Sequence, residues 1–322
     1  MRTKTLGRTG LEVSIVGLGT AFLGIPTPEQ AAVEYVEPGT RMDEALGVQT
    51  VHAALAAGCT LIDTAALYGG TRSEQIIGRA LRERPDLAAG CIVTTKAGRL
   101  REGYDYSYDA VRRSVEASLA RLGLARFAVV YIHDAMDEPM ERVMGAGGAL
   151  GALRVLQREG LVGYVGTAAN DPATNARYVE TGEFDAAVVA DGWSLLNQTM
   201  AERILPAAER HNVGLVVATP LERGLLATGP VAGRPYLNRQ FSPALLDHVV
   251  RIQRLCQAYG IPLAAAALQW CTRHPQVAAT IPGARTPAEA VANAAAAEVV
   301  IPERFWEELA PLVRHWEQGV DR

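Results

Sequence analysis

Several things are scarce in this sequence. Four cysteines stand among 322 residues, Cys59, Cys91, Cys256 and Cys271, and no two share the close spacing of a zinc site or a redox motif. A thiolate metal cage and a dense disulfide framework are therefore excluded, and buried reduced thiols are expected. Lysines and arginines form no stripe and the net charge is -4, so no nucleic-acid partner is expected. No apolar run reaches the roughly 18 residues of a spanning helix. The start, Met1-Arg-Thr-Lys-Thr-Leu-Gly7, has no apolar secretory region, and the expectation is a cytoplasmic protein without a membrane partner. A full G-x-G-x-x-G is also missing; Gly17-Leu-Gly19 is only a fragment of it.

What is present suits a large core. Hydrophobic residues make up 49% and charged residues 20%, ordinary values for a globular chain. Leu6-Gly-Arg-Thr-Gly10 reads as the turn of a hairpin. A buried strand follows at Val13 to Leu18, and strands then alternate with helices at Asp43 to Ala57, Ser73 to Arg84 and Ser107 to Leu122. Counting on through strands ending near Asp63, Lys96, His133, Thr167, Ala190, Ala218 and Ile281 gives eight. This predicts an α/β protein, a (β/α)8 TIM barrel with an N-terminal β-hairpin, forming one domain over 1–322. A doubly wound open sheet is the rival. Two helices, Pro243 to Tyr259 and Pro262 to His274, precede the last strand, and Pro302 to Trp316 is an extra C-terminal helix. The segments 24–42 and 223–241 have the length of loops that close over a ligand.

Three successive strands end in groups that carry chemistry. Leu61-Ile-Asp63 ends in a carboxylate, Cys91 to Lys96 in an ammonium and Phe127 to His133 in an imidazole; Tyr68 lies one short loop beyond Asp63. In a parallel barrel these ends share one rim, where active sites are built. A free tyrosine titrates near about 10, but a neighbouring ammonium favours the phenolate. Asp63 would orient Lys96, Lys96 would tune Tyr68, Tyr68 would move a proton and His133 would polarise the substrate oxygen. Such a set offers no activated nucleophile and no metal site, so it pairs with hydride transfer to a bound cofactor. Taken singly, each residue has a plainer role: Asp63 capping a turn, Tyr68 packing on the rim, and Lys96 or His133 solvated.

The motifs Leu61-Ile-Asp-Thr-Ala-x-x-Tyr-Gly69, Ser73-Glu74, Thr95-Lys96, Tyr131-Ile-His133, Ser118-Leu-x-Arg-Leu-Gly123 and Ile281-Pro-Gly-Ala-Arg-Thr286 with Asn293 together resemble the aldo-keto reductases. The resemblance spans nearly the whole chain. It implies an eight-stranded barrel that binds NAD or NADP without a Rossmann domain, with a catalytic tetrad of Asp63, Tyr68, Lys96 and His133. It also assigns cofactor contacts to Gly19, Thr20, Asp63, Asn170, Thr219, Leu221, Gly224, Gly283, Arg285, Glu289 and Asn293, and substrate contacts to Tyr68 and His133; Phe22 and Trp193 are aromatics in reach of the substrate, with plain core or surface packing as the alternative. Tyr35 and Tyr236 are further aromatics for the pocket wall.

Tyr104-Asp-Tyr-Ser-Tyr-Asp109, Tyr131-Ile-His-Asp134 and Trp193-Ser-Leu-Leu-Asn-Gln198 resemble the branch of D-threo-aldose (L-fucose or L-galactose) dehydrogenases and pyridoxal 4-dehydrogenase. That branch implies oxidation of a cyclic hemiacetal to a lactone, with pyridoxal or an open-chain aldehyde as the alternative substrate. A non-catalytic cofactor sensor is the remote alternative. Two places depart from the family pattern: Ala218-Thr-Pro220 stands where many members carry a stacking tyrosine, and Ala168-Ala-Asn170 replaces a Ser-Asn pair. Glu289 argues for NAD, since a carboxylate repels a 2'-phosphate, while Arg285 argues for NADP. The balance leans to NAD, unless the two form a solvated pair one helical turn apart. A homodimer is compatible with the terminal helix and the exposed loops.

Overall fold

A computed structural model describes residues 1–27, 31, 42–234 and 236–316. Eight parallel strands form its centre: β1 Leu18–Gly19, β2 Leu61–Asp63, β3 Ile92–Ala97, β4 Phe127–His133, β5 Val162–Ala169, β6 Ala186–Val189, β7 Gly214–Val217 and β8 Val277–Thr280. Each pairs with its neighbour in sequence. Parallel bridges Val16 to Thr280 and Gly19 to Gly283 join the first strand to the last. There the Gly17 amide donates to Thr280 O at 2.8 Å and the Thr280 amide to Ile15 O at 2.9 Å. The sheet is thus closed, and the open-sheet alternative falls.

Gly17 and Gly19 sit at this seam because the backbones approach so closely. A Cβ on Gly17 would lie 2.7 Å from Leu61 O, and one on Gly19 2.6 Å from Ile281 O, well inside contact distance. Inside the barrel, Leu61, Val129, Tyr131, Val188, Val216 and Ala279 form one cluster with Leu6 and Val13. Strands covered on both faces must be apolar on both, which is why valine, isoleucine and alanine dominate them.

Helices follow the strands: α1 Glu44–Ala56, α2 Arg72–Glu83, α3 Tyr108–Leu122, α4 Ala149–Arg158, α5 Pro172–Val179, α6 Ile204–His211, α7 Leu263–Arg273 and α8 Pro287–Glu298. Side chains cap several of them, as sequence grammar requires: Asp43 accepts from Leu46 N, Asp171 from Ala173 N and Thr174 N, and Thr286 from Glu289 N. A further helix, Pro243–Ala258, precedes α7.

Two boundaries differ from the sequence expectation. The stretch from Val13 to Leu18 is not one strand: Glu12–Ser14 pairs antiparallel with Thr3–Thr5 as the hairpin, and the barrel strand begins beyond it. Ser14 is buried like the apolar Val13, Ile15 and Val16 around it, and hydropathy alone does not mark the break. The C-terminal helix is shorter than Pro302 to Trp316, running Glu303–Leu309 before a 3-10 turn at Ala310–Leu312. Pro311 within that turn has no amide to continue the ladder. Most of the 24–42 segment, Tyr35 included, lies outside the described residues.

Candidate active site

The barrel register places the tetrad. Asp63 is the last residue of β2 and pairs across to Gly19 and Thr94. Lys96 pairs with Tyr131, and His133, the end of β4, pairs with Ala168. A tight turn after β2, with the Tyr68 amide donating to Ala65 O at 3.0 Å, brings Tyr68 back over the rim. All four side chains therefore meet at the C-terminal mouth of the barrel.

Lys96 is the hub. Its Nζ makes a short ion pair with Asp63 Oδ1, donates to Thr64 O at 2.9 Å and lies 3.1 Å from the Tyr68 hydroxyl. Asp63 is anchored in turn by Thr94, whose Oγ1 donates to Oδ2 at 2.9 Å. Lys96 is only 2% exposed and Asp63 3%, a depth at which an unpaired charge is strongly disfavoured. Burial pulls the ammonium pKa down, but the charges of Asp63 and Tyr68 outweigh it and hold Lys96 above its ordinary value. The ammonium is permanent at neutral pH.

His133 stands edge-on to Tyr68, with ring centroids 6.1 Å apart at 88°. Burial, reinforced by the positive charges of Lys96 and Arg99, holds its pKa well below the ordinary imidazole range. The ring is neutral at pH 7 and offers one N–H donor.

A cleft of about 390 Å³ runs from the tetrad across the barrel mouth. Gly19, Thr20, Phe22, Asn170, Thr219, Leu221, Gly224, Tyr236, Gly283, Arg285, Glu289 and Asn293 all line it, so nearly every residue expected at the cofactor or substrate is brought to one trough. The backbone is open at Gly224, where an added Cβ would meet nothing within 4 Å. Arg223, Arg234 and Arg285 also line it, Arg223 paired with Asp191 and Arg285 with Glu289. An extended, anionic dinucleotide fits this combination of length, open backbone and guanidinium groups.

Trp193 is the exception. It does not line the cleft; it stacks on Trp270 with centroids 4.7 Å apart and donates from Nε1 to Cys271 O at 3.2 Å. An aromatic after β6 can face the mouth or the helix layer, and here α7 claims it.

Arg285 and Glu289 are the i, i+4 pair. The guanidinium makes a short contact to Oε1, and Oε2 accepts from the Arg285 backbone amide at 2.8 Å. Each is committed to the other, so neither decides between NAD and NADP.

Two charged clusters centre on carboxylates that are not among the expected site residues. Asp134, directly after His133, pairs with Arg99 and holds Asn170. Asp191, after β6, takes Arg223 at 2.8 Å and Arg239 at 2.9 Å. Asp134 closes the Tyr131-Ile-His-Asp134 motif, whereas the only sequence signal for Asp191 is a carboxylate just past a strand end. Among the described residues no group of three or more His, Cys, Asp or Glu is placed to hold a metal, and no helix is long and apolar enough to cross a membrane.

Comparison with known proteins agrees with this geometry. The sequence matches the aldo/keto reductase family over residues 16–314. It is 31% identical to a pyridoxal 4-dehydrogenase of Microbacterium luteolum, over 94% of this chain and 95% of that one. It is also 31% identical to a D-threo-aldose 1-dehydrogenase of a Pseudomonas species, over 83% of this chain and 87% of that one. An L-galactose dehydrogenase of Arabidopsis thaliana is 29% identical over 91% and 87%. Among solved structures, the holo form of an aldo-keto reductase from Bacillus halodurans superposes with a TM-score of 0.77 at 24% identity, covering 99% of both chains. With the closed barrel, the buried Asp63–Lys96 pair and Tyr68 beside it, the chain belongs to the aldo/keto reductase family and is an NAD(P)-dependent oxidoreductase.

Proposed function

We propose that this enzyme oxidises a small aldose of the L-fucose, L-galactose or D-arabinose type at C1, giving the lactone. The observation that carries the reading is the 3.1 Å contact between the Tyr68 hydroxyl and a buried, permanently charged Lys96. A phenolate formed there is stabilised by the ammonium, which suits removal of a proton from a weakly acidic anomeric hydroxyl. Tyr68 takes that proton as the C1 carbon becomes a carbonyl, and Lys96 bears the charge change without leaving Asp63. His133, neutral, holds the same substrate oxygen by a hydrogen bond. The nicotinamide cofactor, when bound, supplies the acceptor for the hydride that leaves C1. Asn170, Thr219, Leu221, Gly224, Gly283 and Asn293 would hold the dinucleotide, with Phe22 and Tyr236 beside the substrate.

The sugar assignment rests on the two relatives named for aldose or galactose oxidation. Pyridoxal is the second reading, favoured by a relative of that name at equal identity and wider coverage. The test is to mix the purified protein with NAD+ or NADP+ and L-fucose, L-galactose, D-arabinose or pyridoxal, following nicotinamide absorbance. Reduction with a sugar supports the proposal, and the better dinucleotide sets the cofactor. Reduction with pyridoxal alone moves the assignment, and silence with every sugar overturns it.

A further inference from the structure

Thr94 carries no charge and stands two residues before Lys96, yet it shares Asp63 with that lysine. It is paired in register with Asp63 across β2 and β3. Residues two apart on a strand face the same way, so Thr94 and Lys96 both present their side chains to the carboxylate. Each takes one oxygen: Lys96 pairs with Oδ1, and the Thr94 hydroxyl donates to Oδ2 at 2.9 Å. The same hydroxyl is 3.5 Å from Ile62 O, so its proton goes to Asp63. All three residues are buried, and among the described residues Thr94 is the donor that reaches Oδ2.

An ammonium has three N–H donors and accepts nothing. At Lys96 all three are committed, to Asp63 Oδ1, to Thr64 O at 2.9 Å and to the Tyr68 oxygen at 3.1 Å. The contact to Tyr68 is the longest, and it is the one that gives way if the ammonium moves. A carboxylate with both oxygens free draws an ammonium between them, away from Tyr68. With Oδ2 held by Thr94, only Oδ1 is on offer. We propose that Thr94 is a positioning residue: by occupying Oδ2 it fixes the Asp63 carboxylate so that Lys96 keeps its third N–H on Tyr68, where it favours the phenolate. The other titratable groups facing this set are Tyr131 and His133 of β4. Burial and the Asp63 charge hold Tyr131 above its ordinary range, and His133 is neutral, so neither brings a charge of its own. The inference rests on the reading of Tyr68 as the group that moves the proton, and not on the sugar.

Alkaline titration of the purified protein, followed by tyrosinate absorbance, tests it without cofactor or substrate. The difference between each protein and its Tyr68→Phe counterpart isolates Tyr68 from the other tyrosines, and circular dichroism at each pH shows that the fold is intact. Thr94→Val keeps the shape and removes the hydroxyl. The Tyr68 midpoint is expected to rise by about 0.5–1.5 pH units, part of the roughly 1–3 units that an adjacent opposite charge is worth. Thr94→Ser keeps the hydroxyl and is expected to keep the wild-type midpoint. An unchanged or lowered midpoint in Thr94→Val overturns the proposal. So does an equal rise in Thr94→Ser, which would assign the effect to packing of the methyl group. Thr94→Cys, whose thiol is a weak donor, carries the test if Thr94→Val does not fold: a raised midpoint supports the proposal and an unchanged one overturns it. Silence with every sugar bears on the substrate alone, since no sugar enters this titration.

Discussion

Lys96 holds Asp63 and Tyr68 with one ammonium, and this coupling makes the tetrad's variants separable. Tyr68→Phe removes only the hydroxyl that moves a proton. Turnover is expected to fall by a factor on the order of 10²–10⁴, the worth of a general base, with dinucleotide binding by fluorescence titration unchanged. Lys96→Met also strips Asp63 of its counter-charge at 3% exposure. Urea unfolding should show a loss of about 3–5 kcal/mol, the cost of leaving half of a buried pair, alongside lost turnover. His133 ties stability to pH with a definite sign. Its folded pKa lies well below the ordinary value of about 6.5, so below that pH the unfolded chain binds a proton that the folded one refuses. The contribution is full above about pH 6.5 and drains away as pH falls toward the folded pKa. Melting temperatures between neutral and mildly acid pH should fall more steeply for the wild type than for His133→Gln.

Between elements, the buried polar knots decide the geometry. Glu74 of α2, with no exposure at all, accepts Thr95 of β3 at 2.7 Å and Arg121 of α3 at 2.7 Å. It pins two helices to the strand that carries Lys96. Nearby, α2 and α3 touch backbone to backbone at Gly78, where a Cβ would lie 2.4 Å from Arg121 O. Gly78→Ala is therefore expected to destabilise by about 1–3 kcal/mol by overpacking, against its gain in helix propensity, as denaturant midpoints will show. At the mouth, burial raises the Asp191 pKa, but Arg223 and Arg239 outweigh it and keep the carboxylate low and charged. Arg239 also reaches Glu222 at 3.3 Å, so the loop after β6, the loop after β7 and the segment before Pro243 form one knot. Asp191→Asn should speed tryptic cleavage after Arg223 and Arg239 several-fold, and an unchanged cleavage rate would show that the knot does not restrain that segment.

What the sequence reveals follows the range of each interaction. The tetrad is legible because each member sits at or just past a strand end, a local signal, and the barrel makes strand ends meet. The Arg285–Glu289 pair is legible from its spacing of four. The Asp191 knot is not, because Arg223 and Arg239 are 32 and 48 positions away and nothing local marks them as partners. Trp193 misleads for a related reason: Trp270 and the Cys271 carbonyl on α7, far along the chain, hold it in the helix layer.

At the scale of the whole molecule, the two ends of the barrel divide the labour. The mouth carries the charged, strained residues, and the opposite end is sealed by the hairpin. There Lys4 donates to Thr272 O at 3.0 Å, His274 O at 2.9 Å and Val277 O at 2.7 Å, stapling the hairpin to the end of α7 and the start of β8. Lys4→Met leaves three carbonyls without that donor. It should cost about 1–3 kcal/mol in thermal or denaturant unfolding, while kcat stays at the wild-type value because the tetrad lies at the far end.

The Lys4 staple has a consequence for how the chain is made. Its partner Val277 lies 273 positions downstream, and the first barrel strand waits for the same region to close the seam at Thr280. A ribosome adding roughly 5–20 residues per second takes on the order of 15–50 s to deliver those partners. During that interval the hairpin residues, the apolar Leu6 and Val13 among them, have no permanent seat. Until the last strand arrives the growing sheet keeps an unpaired edge, the kind of surface on which chains associate.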